Sequence, residues 1–333
     1  MRTRDVGVAL LGVGTIGGAV ARTILDEGDA IAARCGVRLL IRRALARSVG
    51  RVVEVGLPRH LATTEIDEVL GDPQVEVVVE AIGGEQPAAG YLRRSLEAGK
   101  HVVTANKEAL AKHFGELVDA ARANERALLF EASVGGGIPV MVSLRQILSA
   151  NRVTRIRGIV NGTTNYILTQ MAEGNTSYAD ALRQAQQLGY AEPDPTADVE
   201  GHDAAYKLAI LASLAAGRHI RPEQVERSGI TGVTPEWVRE AQARGGAIKL
   251  IASAERDGDG WRLRVAPEFV AGEHLLAHVR LNFNAVEITG DRIGTVLLYG
   301  QGAGPRPTVS AILSDIVDAV RFGVALTPAL SRW

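Results

Sequence analysis

Short, nearly unbroken apolar runs alternate along the chain with longer stretches whose apolar residues recur at helical spacing, the pattern of strands buried on both faces and covered by helices. The first run, residues 6–11, ends in Gly12-Val-Gly14-Thr-Ile-Gly17-Gly18, and residues 19–27 continue at helical period. That order is strand, glycine turn, helix. Further strands are expected over 38–46, 75–80, 101–104 and 128–131, and a helix over 91–98 is stopped by Gly99. In the second half the pattern predicts a strand over 155–160, a turn at Asn161-Gly-Thr-Thr-Asn165, a helix opening over 166–171 and another over 178–188. A proline-bearing acidic loop, 190–199, follows. Runs at 249–253, 262–265, 285–288 and 295–299 predict one extended sheet in antiparallel or mixed order, and a terminal helix over 308–320 is placed to return to the first domain and close its cleft. The expected class is α/β, with a Rossmann-like dinucleotide-binding domain over 1–140, an α+β domain over 141–300 and a returning segment over 301–333.

In a dinucleotide site Gly12 makes the turn, Gly14 lets a pyrophosphate approach the backbone and Gly17 brings the helix close to the sheet, with phosphates at the helix N-terminus. The second strand ends at Arg47-Ser48, without the acid that grips a ribose 2′-hydroxyl. A basic residue there suits a 2′-phosphate, so NADP is expected with Arg47 as the preferred partner, while NAD stays open and some of Arg42, Arg43 and Arg47 also read as solvated edge arginines. Ala81-Ile82-Gly83-Gly84 closes the third strand with small residues that leave room for a cofactor. Lys107 lies just beyond the next strand, either donating to a substrate oxygen or capping local carbonyls. The three glycines of Glu131-Ala-Ser-Val-Gly-Gly-Gly-Ile-Pro139 permit an ion site or a tight crossover, and the residues alone favour the crossover.

Lys207 is the most telling single residue. It precedes Leu208-Ala-Ile-Leu-Ala212, an apolar helical run in which an ammonium is costly unless an acid answers it, and Asp203 stands one turn upstream at i,i+4 spacing. Arginine outnumbers lysine 32 to 5, so a buried lysine points to an amine that can lose its proton.

Composition narrows the classes. At 333 residues there is room for two cores, and a formal net charge of -1 gives no field for nucleic acid or an acidic membrane. Cys35 is the sole cysteine, excluding an intrachain disulfide and a thiolate metal cluster. No apolar leader or run of 18 apolar residues occurs, so a cytoplasmic protein is expected. The seven histidines form no short ligand cluster, since His274 and His278 lack an evident third ligand and His202 fits a helix start better than catalysis.

Taken together, the ordered segments Gly12 to Gly17, Gly99-Lys-His-Val-Val-Thr-Ala-Asn-Lys107, Glu131 to Pro139, Asn161 to Asn165 and Gly189-Tyr-Ala-Glu-Pro-Asp-Pro195 through Asp198 and Asp203 to Lys207 resemble homoserine dehydrogenase over nearly the full length. The resemblance implies interconversion of L-aspartate 4-semialdehyde and L-homoserine with NAD(P)H, toward threonine and methionine. By it, Lys107 and Lys207 flank the aldehyde oxygen, Lys207 is the general acid and base, and Asp203 orients it. Glu192, supported by Asp198, binds the substrate ammonium. It further implies cofactor contacts at Thr15, Ile16, Ile82, Gly83, Lys107 and Gly302, besides the glycine turn. A monovalent cation, sodium by expectation, is implied on backbone oxygens of Glu131, Val134, Gly136 and Ile138, together with a homodimer built through the middle domain. Many bacterial members continue into a regulatory ACT domain beyond the point where this chain ends at Trp333, which puts threonine feedback through that domain in doubt. Two rivals fare worse: an acylating semialdehyde dehydrogenase needs a cysteine near the nicotinamide, and a catalytically silent nucleotide sensor has no use for Lys107, Glu192, Asp203 and Lys207 together.

Overall fold

The computed structural model describes residues 3–323. Two compact units are present, one running to Gly137 and resuming at Gly304, the other spanning Ile138–Ala303. The first is built on six strands, β1 (Arg4–Leu11), β2 (Val37–Leu45), β3 (Ala62–Thr63), β4 (Val77–Glu80), β5 (His101–Thr104) and β6 (Leu128–Leu129). All pair in parallel, in the order β3-β2-β1-β4-β5-β6. From Val6 onward every residue of β1 is buried, which is why it reads as an unbroken apolar run: helices cover both faces. The strand order reverses between β1 and β4, and the loops leaving their carboxyl ends form the switch point of such a sheet.

The helix Thr15–Cys35 and the terminal helix Pro305–Phe322 belong to this same unit, where Val309, Ile312, Ile316 and Ala319 join Val8, Leu10 and Val20 in one core. Asp315 of the terminal helix accepts a hydrogen bond from Glu131 N–H at 2.9 Å. That bond marks one departure from the expected pattern. The strand expected over 128–131 stops at Leu129, and Glu131 opens a short helix, Glu131–Val134.

The second unit carries β7 (Val153–Ile159), β8 (Glu226–Arg227), β9 (Gly246–Asp257), β10 (Gly260–Ala271), β11 (Phe283–Gly290) and β12 (Gly294–Gln301), in the order β12-β11-β7-β9-β10-β8. Pairing is antiparallel except for β8 beside β10, so the sheet is mixed. Helices Gly162–Glu173 and His202–Ala216 pack on its central strands.

The expected turn at 161–165 is instead a helix N-terminus. Asn161 is the N-cap, its side-chain oxygen accepting from Thr164 N–H at 2.8 Å, and the helix begins at Gly162. Asn165 then faces inward and its amide donates to the carbonyls of Val279, Leu281 and Phe283 at 3.2, 2.9 and 3.1 Å. Lys249 on β9 completes this buried hub, donating to Asn165 Oδ1 at 3.2 Å and Val279 O at 2.5 Å. Burial pushes its ammonium down to about 8.

Among the described residues no helix is long and apolar enough to cross a membrane, and no group of three or more His, Cys, Asp or Glu side chains is placed to hold a metal ion.

Candidate active site

Gly12 has φ +90°, a left-handed conformation that turns the chain after β1. A Cβ on Gly17 would lie 1.9 Å from Gly12 O, so the helix and the turn touch backbone to backbone. Gly14 is the opposite case, because a Cβ there would meet nothing within 4 Å. Gly14 caps the helix Thr15–Cys35 without any side-chain hydrogen bond or first-turn acid, leaving the N–H groups at Thr15, Ile16 and Gly17 as donors on an open, electropositive end. A cradle of this shape and charge fits a pyrophosphate.

At the end of β2, Arg47 is exposed. Arg43 is committed elsewhere, paired with Asp72 at 3.0 Å. Arg42 is half-buried along β2, which leaves Arg47 as the arginine at the strand's open end.

Glu80 is a residue that the sequence pattern did not single out. It ends β4 fully buried, in register with Leu11 of β1 and Thr104 of β5. Its carboxylate accepts from Ile82 N–H at 2.7 Å, Thr104 Oγ1 at 2.5 Å and Asn106 Nδ2 at 3.4 Å. Burial raises its pKa above the usual carboxylate range, against the lowering effect of these bonds. Asn106 reaches on to Gly84 O at 2.7 Å and caps Ala109 N–H at 3.1 Å, at the start of the helix Lys107–Ala123. Lys107, half-buried, is thus the first residue of a capped helix at the carboxyl end of β5. The available signal for Glu80 was an acid closing a run of valines with no base at helical or strand spacing.

In the second unit the helix His202–Ala216 has eleven buried positions, Asp203 and Lys207 among them. Lys207 Nζ donates to Asp203 Oδ2 at 2.9 Å and to Val160 O at 2.8 Å, so two of its three protons are engaged. Asn161 Nδ2 spans two acids, donating to Asp203 Oδ2 at 2.9 Å and Asp198 Oδ1 at 2.7 Å. Burial, then the neighbouring Asp203, raises the pKa of Asp198. Lys207, Asp203, Asn161 and Asp198 therefore form one connected group.

Glu192 makes no hydrogen bond or ion pair with that group. It is exposed on a loop whose backbone is pinned by Gln186, donating to the carbonyls of Glu192 and Pro193 at 3.2 and 3.3 Å, and by Thr163 Oγ1 donating to Tyr190 O at 2.6 Å. The ring of Tyr190 also packs on Tyr166 with centroids 5.0 Å apart. The acidic loop is ordered by its neighbours, and its end, Thr196–Val199, forms a short helix that brings Asp198 inward.

The remaining expected site residues fall in three places. Ile82 and Gly83 lie in the loop that Glu80 holds, with Gly83 at φ +81°. Gly302 sits in the second unit, where a Cβ would come within 1.9 Å of the Asn284 side chain, so packing alone demands glycine there. Glu131 O accepts from Gly135 N–H at 3.0 Å and Ile138 O from Val140 N–H at 2.7 Å, and Gly136 takes φ +58°. His202 makes an early turn of its helix, and burial holds its ring below the usual histidine range.

Comparison with known proteins agrees with this geometry. A family model for the NAD binding domain of homoserine dehydrogenase matches residues 12–131, and the homoserine dehydrogenase model matches residues 139–317. The chain is 42% identical over 318 residues to the homoserine dehydrogenase of Bacillus subtilis, and 46% identical over 323 residues to that of Mycobacterium tuberculosis. In both cases the match covers 96% of this chain and 73% of the relative. The crystal structure of a homoserine dehydrogenase from Thiobacillus denitrificans superposes with a TM-score of 0.90 at 42% identity, covering 96% of this chain and 74% of that one. A hyperthermophilic archaeal homoserine dehydrogenase, solved in complex with NADPH, superposes with a TM-score of 0.80 at 29% identity, covering 95% and 98%. With the parallel nucleotide sheet, the glycine cradle and the buried lysine helix, these matches establish that the chain is an oxidoreductase belonging to the homoserine dehydrogenase family.

Proposed function

We propose that the chain catalyses the reversible reduction of L-aspartate 4-semialdehyde to L-homoserine, a step toward threonine and methionine, with NADP as preferred cofactor. The observation that carries this reading is the buried Lys207–Asp203 pair on an otherwise apolar helix. The nicotinamide cofactor, when bound, gives or takes the hydride. Gly12, Gly14, Thr15, Ile16 and Gly17 are the residues to hold its phosphates, with Ile82, Gly83 and Gly302 as further contacts.

In the reductive direction Lys207 donates a proton to the alkoxide that forms, and in the reverse direction its amine takes the hydroxyl proton. Asp203 and Val160 O fix the Nζ through two hydrogen bonds, which removes the rotamer freedom of a long side chain. Asn161 holds Asp203 to that task. Glu192 and Asp198 supply negative charge for the substrate ammonium, and Lys107 is the donor on the cofactor-binding unit. The backbone oxygens of Glu131, Val134, Gly136 and Ile138 are assigned to a monovalent cation, sodium by preference.

The test is homoserine-dependent reduction of NADP and NAD by the purified chain, in sodium and in N-methylglucamine buffers, beside Arg47→Ala. Turnover is expected with both cofactors, NADP favoured, and faster in sodium. Loss of the Arg47 guanidinium should raise KM for NADP by about tenfold, the size of one charge-assisted hydrogen bond, and leave KM for NAD unchanged. No turnover in either buffer removes the assignment, and a KM for NAD well below that for NADP removes the cofactor preference.

A homodimer through the second unit is part of this reading. Tyr299, on the edge strand β12, is 55% exposed while stacking on Phe283 at 5.2 Å, and Leu275 nearby in sequence to β11 is 60% exposed. Light scattering should give twice the mass of the 35.3 kDa chain. A monomer at micromolar concentration contradicts it.

A further inference from the structure

We infer that Glu80 is a positioning residue whose buried carboxylate ties the loop after β4 to the turn that presents Lys107, so that the cofactor loop and the lysine are set from a single point. The inference rests on the cofactor reading given above. Glu80 is 0% exposed, and its hydrogen-bond partners are neutral donors drawn from separate segments: Ile82 N–H in the loop after β4 on one side, Thr104 Oγ1 at the end of β5 and Asn106 Nδ2 just beyond it on the other. An acid placed here without a cation is costly to bury, and an apolar side chain would fill the volume more cheaply. What an apolar side chain lacks is the capacity to collect donors from both loops at once.

The bonds close on themselves. Thr104 Oγ1, oriented by donating to Glu80, accepts from Asn106 N–H at 3.0 Å. Asn106 Nδ2 returns to Gly84 O at 2.7 Å, and Asn106 Oδ1 caps the helix that Lys107 begins. Glu80 also sits in the row of Leu11, immediately before the Gly12 turn, and Ala81 N–H donates to Leu11 O at 2.9 Å. The three loops at the switch point of the sheet are thereby held in one frame.

Amide hydrogen exchange of the cofactor-free protein, NADPH affinity by fluorescence, and the split of kcat from KM test this in Glu80→Leu and Glu80→Gln. In Glu80→Leu, amides of residues 82–84 and 106–107 should exchange about tenfold faster or more, NADPH should bind about tenfold more weakly, and kcat should fall by about 100-fold. Glu80→Gln keeps an acceptor for Ile82 and Asn106 and disturbs only the Thr104 bond, so it should recover most of the affinity while the Asn106 amide still exchanges faster. A merely structural acid would lower Tm and leave exchange at both loops, affinity and kcat of the folded protein within twofold of wild type; that result overturns the inference. If Glu80→Leu does not fold, wild-type exchange at Asn106 in Glu80→Gln overturns it equally. Wild-type protein that binds no NADPH would refute the cofactor reading instead, since exchange in the cofactor-free chain reports on the tether alone.

Discussion

Lys207→Met should lower homoserine turnover by about 10³-fold, the middle of the range for a positioned general acid or base, with little change in cofactor affinity. Methionine keeps the stem and the packing of the helix and removes only the ammonium. Because the side chains of Lys207 and Asp203 are 9% and 7% exposed, the change also strands a buried carboxylate, at a stability cost of about 3–5 kcal/mol. The two losses separate in the double variant Lys207→Met/Asp203→Asn, which should regain much of the stability and none of the turnover. Lys207→Arg adds a second discrimination: a guanidinium supplies charge but does not release a proton at working pH, so activity should stay low. Turnover within tenfold of wild type in Lys207→Met, measured as kcat on folded protein, would remove Lys207 from the proton transfer.

The second large effect is steric. Gly17→Ala places a methyl 1.9 Å from Gly12 O and 2.9 Å from Gly12 C, and neither the turn nor the helix offers a flexible side chain to yield. The helix N-terminus must move off the sheet, at about 1–3 kcal/mol in stability, and NADPH affinity should fall by about 100-fold as the phosphate cradle opens. Gly14→Ala is the informative partner. Its Cβ meets no protein atom within 4 Å, so Tm should stay at the wild-type value while NADPH binding still weakens, because the methyl occupies ground a phosphate would approach. Equal affinity in wild type and Gly14→Ala would contradict the cradle.

The sequence made the fold class legible because buried parallel strands announce themselves as unbroken apolar runs, and Gly12 to Gly17 joins the first of them to its helix. The Asp203 to Lys207 spacing was equally readable, since i,i+4 on a helix needs no tertiary knowledge. Asn161 was harder. Asparagine followed by glycine signals a turn, and only the backbone reveals that it caps a helix and at the same time bridges Asp198 and Asp203. Arg43 looked like a free basic edge residue because its partner Asp72 lies far along the chain. Glu80 stayed hidden for the same reason, as Thr104 and Asn106 reach it only through sheet register.

The Asn165–Lys249 hub carries a consequence for how the second unit can be timed. Lys249 is 3% exposed, its amine is held by carbonyl and amide oxygens, and burial has brought its pKa down to about 8. That basicity belongs to the closed hub, where no reagent reaches the amine, so acylation has to proceed through an opened state in which the solvated ammonium is an ordinary lysine. Acylation of Lys249 therefore clocks the opening of the sheet itself, and its rate follows the free energy of that opening.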